Sequence, residues 1–294
     1  MDMFNYGRDG MLRKIAGLAL GSCIALTAMP AMAQQSCTRT ALEEATQSYV
    51  AAQQAGNPSL IKLAPDAELQ EQMEPITLAA ALLNKPQKID FHRAIHDTQG
   101  CESFVEVIIT DPAHPYVLGT RIKLTGDLVR EIETLVTDAD DWLFKASNTL
   151  AYSRAEKWDM IPMEKQDSRE TIIAAADAYL NLFNDPTVRV PWGSPCARLE
   201  GGIYTAKGAP GVVSKEDSCA VGVPKNTPLV DRRYLVDQDL GSVVVLLRFG
   251  NSSLPDSHLF RVENGLLRYV HTITVCKTLN CGFPVKPIPN PPRG

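Results

Sequence analysis

The sequence predicts an α+β fold in which one helix-and-strand unit occurs twice. Two pairs of matching segments, in the same order along the 294-residue chain, indicate the duplication. GDLVREIETL, which starts at Gly126, matches GLLRYVHTI, which starts at Gly265, once one residue of the earlier segment is dropped. HRAIHD at 92–97 matches RRYLVD at 232–237. Self-similarity in a fixed order is the sequence signature of a repeated architecture.

Each copy opens with an amphipathic helix. Apolar residues recur three or four positions apart over 42–52 in the first copy and over 172–183 in the second. Asn-Pro at 57–58 and Asp-Pro at 185–186 predict the ends of these helices, because proline disfavours helical backbone in the residue before it.

Three strands follow each helix, and the last two strands of each copy are joined by a turn that contains a glycine. These glycines are Gly126 and Gly265, and Asn264-Gly265 is a favoured hairpin pair. A helix followed by an antiparallel meander predicts a curved sheet with the helix on one face. The six strands are predicted at 104–109, 116–124, 129–136, 243–249, 258–262 and 267–275.

Residues 1–33 have the features of a secretory signal peptide. Two basic residues precede an apolar stretch at 15–27, and Ala-Met-Ala at 31–33 supplies a cleavage site. The alternative is a lipoprotein processed at Cys23, which would leave the apolar segment 24–33 on the mature chain. The apolar stretch is too short to span a membrane. We therefore expect a periplasmic or secreted protein without a membrane anchor.

The rest of the chain divides by composition and repeat. The acidic balance, with 34 acidic against 29 basic residues, disfavours nucleic acid as a partner. The last ten residues contain four prolines and are predicted to be extended, without a packing role. The predicted segments are a signal peptide at 1–33, a first unit at 34–145, a connector at 146–166, a second unit at 167–283 and a proline-rich tail at 284–294.

Six cysteines remain once the signal peptide is removed. An even number in an exported chain indicates disulfides rather than a catalytic thiol, and six cysteines allow fifteen pairings. No C-x-x-C pair and no Cys/His cluster has zinc-ligand spacing, so no metal site is expected. The preferred pairing keeps each disulfide within one copy: Cys37 with Cys101, Cys196 with Cys219, and Cys276 with Cys281.

Six segments of the chain carry a resemblance to a known fold. They are HDTQGCESF (96–104), PYVLGT (115–120), DWLF (141–144), PWGSPCARLEGG (191–202), DRRYLVD (231–237) and PDSHLFRVENGLLRYVHT (255–272). With them the chain resembles the cone-shaped nuclear transport factor 2-like, or SnoaL-like, fold, a cystatin-like α+β roll, and is similar to a family of secreted fungal and bacterial proteins of unknown function with tandem units of that fold. The resemblance implies that each cone holds a hydrophobic molecule without a cofactor, and that the chain is a monomer with an internal pseudo-dimer, or a homodimer.

The last strands of the two copies share a titratable position. Two-residue alternation predicts that Leu267, Tyr269 and His271 lie on one strand face. His271 matches Glu133 of the first copy, so both copies place a group suited to acid or base work at one position. The alternatives are a buried, hydrogen-bonded core residue for His271 and a solvated side chain for Glu133.

Glu71 matches Glu200, and both follow the segment after the first helix of their copy. Glu200 precedes two glycines, which permit close approach of the backbone to a ligand. The alternative is that Glu200 forms an ion pair with Arg198 or a neighbouring arginine and ties a loop to the sheet.

Tyrosines and further histidines are also candidates for the pockets. Tyr49 and Tyr179, on the apolar faces of the two helices, would donate a hydroxyl into each cone, with core packing as the alternative. His258 begins a strand in the second copy. His92 and His96 share a strand face about 13 Å apart, too far to hold one metal ion, and one of them would face the first cone.

Asp97 and Asp237 each precede a glycine by three or four residues. Such an aspartate usually accepts hydrogen bonds from its own backbone and shapes a turn. We therefore predict that both residues form turns rather than take part in catalysis.

The resemblance implies an exported, cofactor-independent lyase, isomerase or dehydratase that acts on a small hydrophobic, aromatic or polycyclic molecule, because related single-domain members of the fold include ketosteroid isomerase, polyketide cyclases, small dehydratases and a diarylpropane lyase. No nucleophile elbow, phosphate-binding loop or dinucleotide fingerprint is present in the sequence. His271 would move the proton, Glu200 would orient it, and Arg233 or Tyr179 would hold an oxyanion. The alternatives are a non-catalytic binding protein for a hydrophobic molecule and a purely structural role. An open pocket faced by His271 would favour the enzyme, and a filled cone would favour structure.

Overall fold

A computed structural model describes residues 37–207 and 209–292. The predicted signal peptide and Cys23 lie outside the described residues. The helices are α1 (Arg39–Ala55), α2 (Ala146–Ala155) and α3 (Arg169–Asn181). The first sheet contains β1 (Leu63–Glu71), β2 (Glu74–Pro75), β3 (Phe91–Asp97), β4 (Glu102–Ile109), β5 (Tyr116–Thr125) and β6 (Leu128–Thr137). The second contains β7 (Trp192–Glu200), β8 (Ile203–Tyr204), β9 (Leu229–Asp237), β10 (Ser242–Phe249), β11 (Leu254–Glu263) and β12 (Leu266–Thr274).

The two sheets have the same topology. The strand order is β2-β1-β6-β5-β4-β3 in the first and β8-β7-β12-β11-β10-β9 in the second, with the first long strand parallel to the last. The predicted α+β class and the duplication are therefore confirmed at this level, as are the six predicted strands. The six predicted strands correspond to β4, β5, β6, β10, β11 and β12 and leave out the other six. Among the missed strands, β1 and β7 were assigned to irregular segments before Glu71 and Glu200, and 92–97 was treated as a strand only in the comparison of His92 with His96.

Local sequence signals set the ends of the helices. The Thr38 side chain accepts a hydrogen bond from Ala41 N at the start of α1, and Ser168 does the same for Thr171 N at the start of α3. Gly56 ends α1 in the left-handed region (φ 61°), which glycine adopts without steric cost. The helices thus begin at equivalent positions, Arg39 and Arg169.

Three apolar cores hold the described residues together. The first core lies between α1 and the first sheet, and the second core lies between α3 and the second sheet. The third, which we call the interface core, joins the other faces of the two sheets and includes Phe104, Leu135, Leu246, Leu259 and Ile273. Each sheet is therefore covered by a helix on one face and by the other sheet on the opposite face.

A β-bulge changes the face of residues near the start of β12. Val262 pairs with Leu267, but Arg261 pairs with Tyr269, so Arg268 is an extra residue. Leu267 consequently lies in the second core, whereas Tyr269 and the residues that alternate with it face the first unit. The prediction that Leu267, Tyr269 and His271 share one face is therefore wrong, because simple alternation fails at a bulge.

Reciprocal contacts join the two units at the edge strands β3 and β9. Asp97 accepts hydrogen bonds from Val236 N (2.9 Å) and from the Arg169 side chain (2.6 Å). Asp237 accepts the matching pair from His96 N (2.9 Å) and Arg39 (2.9 Å). Both aspartates also accept hydrogen bonds from their own turns, which confirms the predicted turn-forming role.

The three disulfides are Cys37–Cys101, Cys196–Cys219 and Cys276–Cys281, as predicted. They indicate that the chain folds in an oxidising compartment. In the parts of the chain that the structure covers, no helix has the length and apolar character needed to cross a membrane.

The proline-rich tail has a packing role, contrary to expectation. Lys145 Nζ donates to the carbonyl of Ile288 (2.7 Å), and Asn148 Nδ2 donates to the carbonyl of Pro289 (2.7 Å). Proline carbonyls accept hydrogen bonds although proline nitrogens cannot donate them. The tail is therefore held against the start of α2.

Candidate functional site

The common strand registers identify equivalent positions in the two units. Asp97 pairs with Glu102 in the first sheet, and Asp237 pairs with Ser242 in the second. The pairing of each next strand keeps this alignment, since Glu102 pairs with Lys123 and Ser242 pairs with Arg261. Positions can therefore be compared one by one. The pairs that matter below are Tyr49 and Tyr179, Leu69 and Arg198, Leu118 and Asp256, Thr120 and His258, and Val136 and Thr274.

The polar groups at the centre of the first core satisfy one another. Thr120 Oγ1 donates to Thr134 Oγ1 (3.2 Å), so the hydroxyl of Tyr49 donates to Thr120 Oγ1 (2.7 Å). A cavity of about 10 Å³ lies beside Tyr49, Gln53 and Glu71, which is room for about one water molecule. The first core is therefore a packed interior.

The second core contains a buried aspartate–histidine pair at the equivalent place. His258 Nδ1 lies 2.6 Å from Asp256 Oδ1, and Thr274 Oγ1 donates to Asp256 Oδ2. The exposed fractions of His258 and Asp256 are 2 % and 0 %. A carboxylate only accepts hydrogen bonds, so the Nδ1 atom donates when it faces Asp256 as a carboxylate. In the tautomer with its hydrogen on Nδ1, an imidazole ring has a lone pair on Nε2.

The hydroxyl of Tyr179 has no hydrogen-bond partner of acceptable geometry among the described residues. The residue is fully buried, and burial raises the pKa of Tyr179 to about 12 although the Arg198 charge opposes the rise. The guanidinium carbon of Arg198 lies 5.5 Å from the centre of the Tyr179 ring. Because arginine has no acceptor atom, it cannot take the hydrogen of this hydroxyl.

Aromatic rings surround these polar groups. The Tyr179 ring meets the rings of Phe183, Trp192 and Phe260 edge to face, with centroids 5.5, 5.8 and 5.3 Å apart. The His258 ring lies 5.8 Å from the Tyr179 ring and is stacked on Phe260 at 5.9 Å. The second core therefore packs an aspartate–histidine pair and a buried tyrosine hydroxyl among aromatic rings.

Arg198 links this core to the surface. It forms an ion pair with Glu200, and its Nη1 donates to the carbonyl of Val221 (3.3 Å). The Nε atom of Arg198 is buried and has no hydrogen-bond partner among the described residues. Glu200 thus forms the ion pair that was the alternative to a catalytic role. Its counterpart Glu71 accepts a hydrogen bond from Leu82 N (2.6 Å), and burial raises the pKa of Glu71.

His271 lies in the interface between the units rather than in the second core. Its Nδ1 lies 3.1 Å from Glu106 Oε1 and its Nε2 lies 2.8 Å from Glu156 Oε2. Burial lowers the pKa of His271, but the two carboxylates outweigh it and raise the pKa to about 9. Both ring nitrogens of this cation are engaged, which is the buried, hydrogen-bonded alternative foreseen for His271.

The His271 cluster is completed by a cation and an aromatic ring. Arg93 contacts Glu106 at 3.4 Å and Glu156 at 3.6 Å, and its guanidinium lies over the ring of Trp158. Tyr269, expected beside His271, stacks on the same Trp158 ring at 5.6 Å. The positive charges of Arg93 and His271 therefore balance the negative charges of Glu106 and Glu156.

Glu133 and Arg233 are also in the interface, and they bind each other. Arg233 donates two hydrogen bonds to the Glu133 carboxylate, at 2.7 and 2.5 Å. Glu133 is 2 % exposed, so the expectation of a solvated side chain is wrong. The bidentate pair occupies the guanidinium donors that were expected to hold an oxyanion.

The remaining predicted histidines lie in the first unit, away from the second core. His96 is buried, and its Nδ1 lies 2.8 Å from Ser103 Oγ. Burial lowers the pKa of His96. His92 is exposed. Of the predicted second-unit site residues, the structure brings only Tyr179 and His258 together around one centre, with Glu200 at its edge.

Asp256 and Arg198 were not recognised as members of this centre from the sequence. Asp256 lies in a segment that was quoted for its family resemblance, and Arg198 was considered only as a partner of Glu200. Comparison of the two copies could have revealed both residues, because the first unit has Leu118 where the second has Asp256, and Leu69 where the second has Arg198. A charge that replaces a core leucine in one copy is not required by the fold.

Comparison with known proteins gives one relevant similarity. Residues 165–274 match a family model described as a domain of unknown function (DUF8021). The match runs from just before α3 to the end of β12 and includes every residue of the aspartate–histidine centre. No curated protein gives a significant match.

Proposed function

We propose that the second core is the site of a cofactor-independent acid–base enzyme that acts on a small hydrophobic, aromatic molecule. The observation that carries the proposal is the difference between two equivalent cores. The first core satisfies its tyrosine with two threonines, and the second replaces Thr120 by His258 and Leu118 by Asp256. The reaction type is a lyase, isomerase or dehydratase.

Stability alone does not account for this replacement. Replacing a buried ionic pair by apolar residues is often neutral or stabilising, by about 1–4 kcal/mol. The first unit shows that the same backbone accepts Leu118 and Thr120 with no exposed surface. Polar groups retained at such a cost are typical of functional sites.

The chemistry assigns a role to each group. His258 Nε2 takes a proton from a carbon next to a carbonyl, and the electron pair moves onto the carbonyl oxygen. Asp256 holds the imidazole in the required tautomer and balances the charge that forms on it. Tyr179 and Arg198 donate to the oxygen as its charge grows. In an isomerase the imidazolium returns the proton to another carbon; in a lyase or dehydratase it protonates the leaving group.

This proposal moves the proton-transfer role from His271 to His258. The His271 ring is bound on both nitrogens by Glu106 and Glu156, so neither nitrogen is open to a substrate. We also infer that each unit has the nuclear transport factor 2-like cone fold, in which a helix covers a curved sheet. The topology shared by the two sheets supports that inference.

The test is turnover of a mixed metabolite extract by the purified mature protein, followed by mass spectrometry. Replacement of a general base lowers the rate by about 10²–10⁴-fold. His258→Gln is therefore expected to abolish depletion of the substrate within the assay. The matched control is Thr120→Val, which changes the equivalent position of the first core and is expected to leave the rate unchanged.

Two results would overturn the acid–base proposal. If His258→Gln depletes the same compound at the wild-type rate, His258 moves no proton. If the protein retains a compound without altering it, and His258→Gln only weakens that retention, the site belongs to a binding protein for a hydrophobic molecule.

A further inference from the structure

A polar cleft of about 140 Å³ lies at the junction of the two units, and its lining includes Arg39, Asp97, Arg169 and Asp237. We infer that this junction cleft binds a small zwitterion such as a free amino acid, with the ammonium group beside Asp239 and the carboxylate beside Arg169. One water molecule needs about 10–15 Å³, so the cleft has room for a small organic molecule. The cleft is separate from the aspartate–histidine centre of the second core, and the inference does not rest on the proposed function.

The junction cleft is built from equivalent positions of the two units. Arg39 and Arg169 are the first residues of the equivalent helices α1 and α3, and Asp97 and Asp237 are the last residues of the equivalent strands β3 and β9. Each arginine donates a hydrogen bond to the aspartate of the other unit. An exact repeat would therefore give both ends of the cleft the same charge.

The end of the cleft at Arg39 has an excess of negative charge. The Arg39 guanidinium contacts three carboxylates, those of Asp237 at 2.9 Å, Asp239 at 3.0 Å and Glu43 at 3.3 Å. The Asp239 side chain lines the cleft and is 45 % exposed, so a ligand can reach it. An ammonium group donates charge-assisted hydrogen bonds to such a carboxylate. This end therefore favours the positive group of a ligand.

The end of the cleft at Arg169 has spare hydrogen-bond donors instead. Arg169 donates from Nη2 to Asp97 (2.6 Å), whereas its Nε and Nη1 have no partner among the residues that the structure describes. Gln99, which also lines the cleft, stands two residues after Asp97, where the second unit has Asp239. No second carboxylate therefore occupies these donors. A guanidinium with free N–H groups matches the geometry of a carboxylate.

A buried histidine nitrogen points to a ligand in the same cleft. His96 lines the cleft and is 6 % exposed, and its Nδ1 lies 2.8 Å from Ser103 Oγ. Its Nε2 makes no hydrogen bond with any described residue, although buried polar groups are nearly always paired. Burial and the Arg39 charge lower the pKa of His96, so the ring is neutral and Nε2 offers one hydrogen-bonding site. The second unit has Val236 and Val243 at the equivalent positions, so the fold does not require this polar pair.

A molecule with two opposite charges fits the junction cleft better than a molecule with one. Two arginines and three aspartates line the cleft, which gives these groups a net charge of minus one. An anion alone would add to this excess, and the burial of an unbalanced charge is costly. A cation alone would leave the free donors of Arg169 unpaired. A zwitterion supplies an acceptor to Arg169 and a donor to Asp239.

The experiment compares two zwitterions of different length with the molecules that carry only one of their charges. Alanine is compared with ethylamine and propionate, and 4-aminobutyrate is compared with propylamine and butyrate. Binding to the mature wild-type protein is measured by isothermal titration calorimetry at pH 7 and low ionic strength. We expect at least one zwitterion to bind roughly tenfold more tightly than either of its single-charge counterparts, because a charge-assisted hydrogen bond forms at each end.

Substitutions at the equivalent positions locate the two charged groups. Asp239→Gln removes the excess carboxylate from one end, and Gln99→Asp supplies Arg169 with a carboxylate of the chain itself at the other. Each variant is expected to weaken binding of the preferred zwitterion roughly tenfold. The matched control is Asp66→Asn, which removes an exposed carboxylate that also pairs with an arginine but lies outside the cleft, and it is expected to leave the affinity unchanged.

The contribution of the histidine is measured with the double variant His96→Val, Ser103→Val, which introduces the residues of the second unit. It is expected to weaken zwitterion binding roughly fivefold, because one hydrogen bond is lost. Several results would overturn the inference. They are binding of neither zwitterion, equal or tighter binding of a single-charge probe, unchanged affinity in Asp239→Gln or Gln99→Asp, and an equal loss of affinity in Asp66→Asn.

Discussion

The second core can be converted into the first by two substitutions, Asp256→Leu and His258→Thr. We predict that the double variant is more stable than the wild type. The new residues are those of the equivalent positions, Leu118 and Thr120, which are both fully buried. Aspartate to leucine adds volume and histidine to threonine removes it, so the change is close to volume-conserving.

The magnitude follows from the contacts that are removed and gained. Removal of the buried polar pair contributes about 1–4 kcal/mol of stabilisation. The threonine hydroxyl at 258 also gives Tyr179 the acceptor that Thr120 gives Tyr49, a hydrogen bond worth about 1 kcal/mol. The two contributions add up to about 2–5 kcal/mol, which raises the melting temperature by at least roughly 4 °C for a chain of this size.

The single variant His258→Thr behaves in the opposite way. It leaves the Asp256 carboxylate buried with only Thr274 as a partner. Breaking a buried pair in this way costs about 3–5 kcal/mol. The single variant is therefore expected to lose stability, whereas the double variant gains it. A uniform effect on packing would change the free energy of unfolding in the same direction in both variants.

The assay is urea unfolding with the disulfides oxidised, followed by circular dichroism, with the melting temperature as a second measure. The matched control is Leu118→Asp with Thr120→His, which places the polar pair in the first core and is expected to lower stability by about 1–4 kcal/mol. If Asp256→Leu with His258→Thr instead destabilises the protein as much as His258→Thr alone, the pair stabilises the fold and the functional reading of the second core is refuted.

Two further predictions concern the tyrosines and His271. Tyr49→Phe removes a satisfied buried hydroxyl and should lower the free energy of unfolding by about 1 kcal/mol, whereas Tyr179→Phe removes an unpaired one and should leave stability unchanged or raise it. Equal losses in urea unfolding would contradict this. The folded-state pKa of His271 is about 9, above the unfolded value of about 6.5. Its stabilisation is therefore complete below pH 6.5 and is lost as the pH rises through 9, by about 3 kcal/mol in total. His271→Gln should flatten this decline between pH 6.5 and 9; an unchanged pH profile of stability would show that His271 is not the group.

The repeat made much of the fold predictable from the sequence. Matching segments around Gly126 and Gly265 gave the two units, and β-branched runs gave six strands. Pairing cysteines within each copy gave the correct disulfides. The strands β1 and β7 were missed because their sequences contain prolines and charged residues, whose strand propensity is low. Each pairs in parallel with a strand far along the chain, β6 or β12, and the pairing is interrupted by a register shift.

The face of His271 was not predictable by alternation. The extra residue Arg268 places Leu267 in the second core and His271 in the interface. Apolar residues occur on both sides of this bulge, because both faces of the sheet are buried. A two-sided sheet lacks the polar–apolar contrast that would reveal the change of face.

The comparison of copies was applied to the wrong kind of position. Glu133 and His271 were chosen because both are titratable, but each is neutralised by a partner across the interface. The informative positions are those where one copy is apolar and the other charged, as with Leu118 and Asp256. Such a difference shows that the fold tolerates either residue, so the charge needs another explanation.

The most direct test of the account measures turnover and stability in the same Asp256→Leu, His258→Thr protein. The account predicts that the variant unfolds at a higher urea concentration than the wild type and depletes none of the aromatic carbonyl compounds that the wild type removes from a metabolite extract. A variant that is more stable and still depletes the same compound at the wild-type rate would contradict the claim that the second core is the functional site.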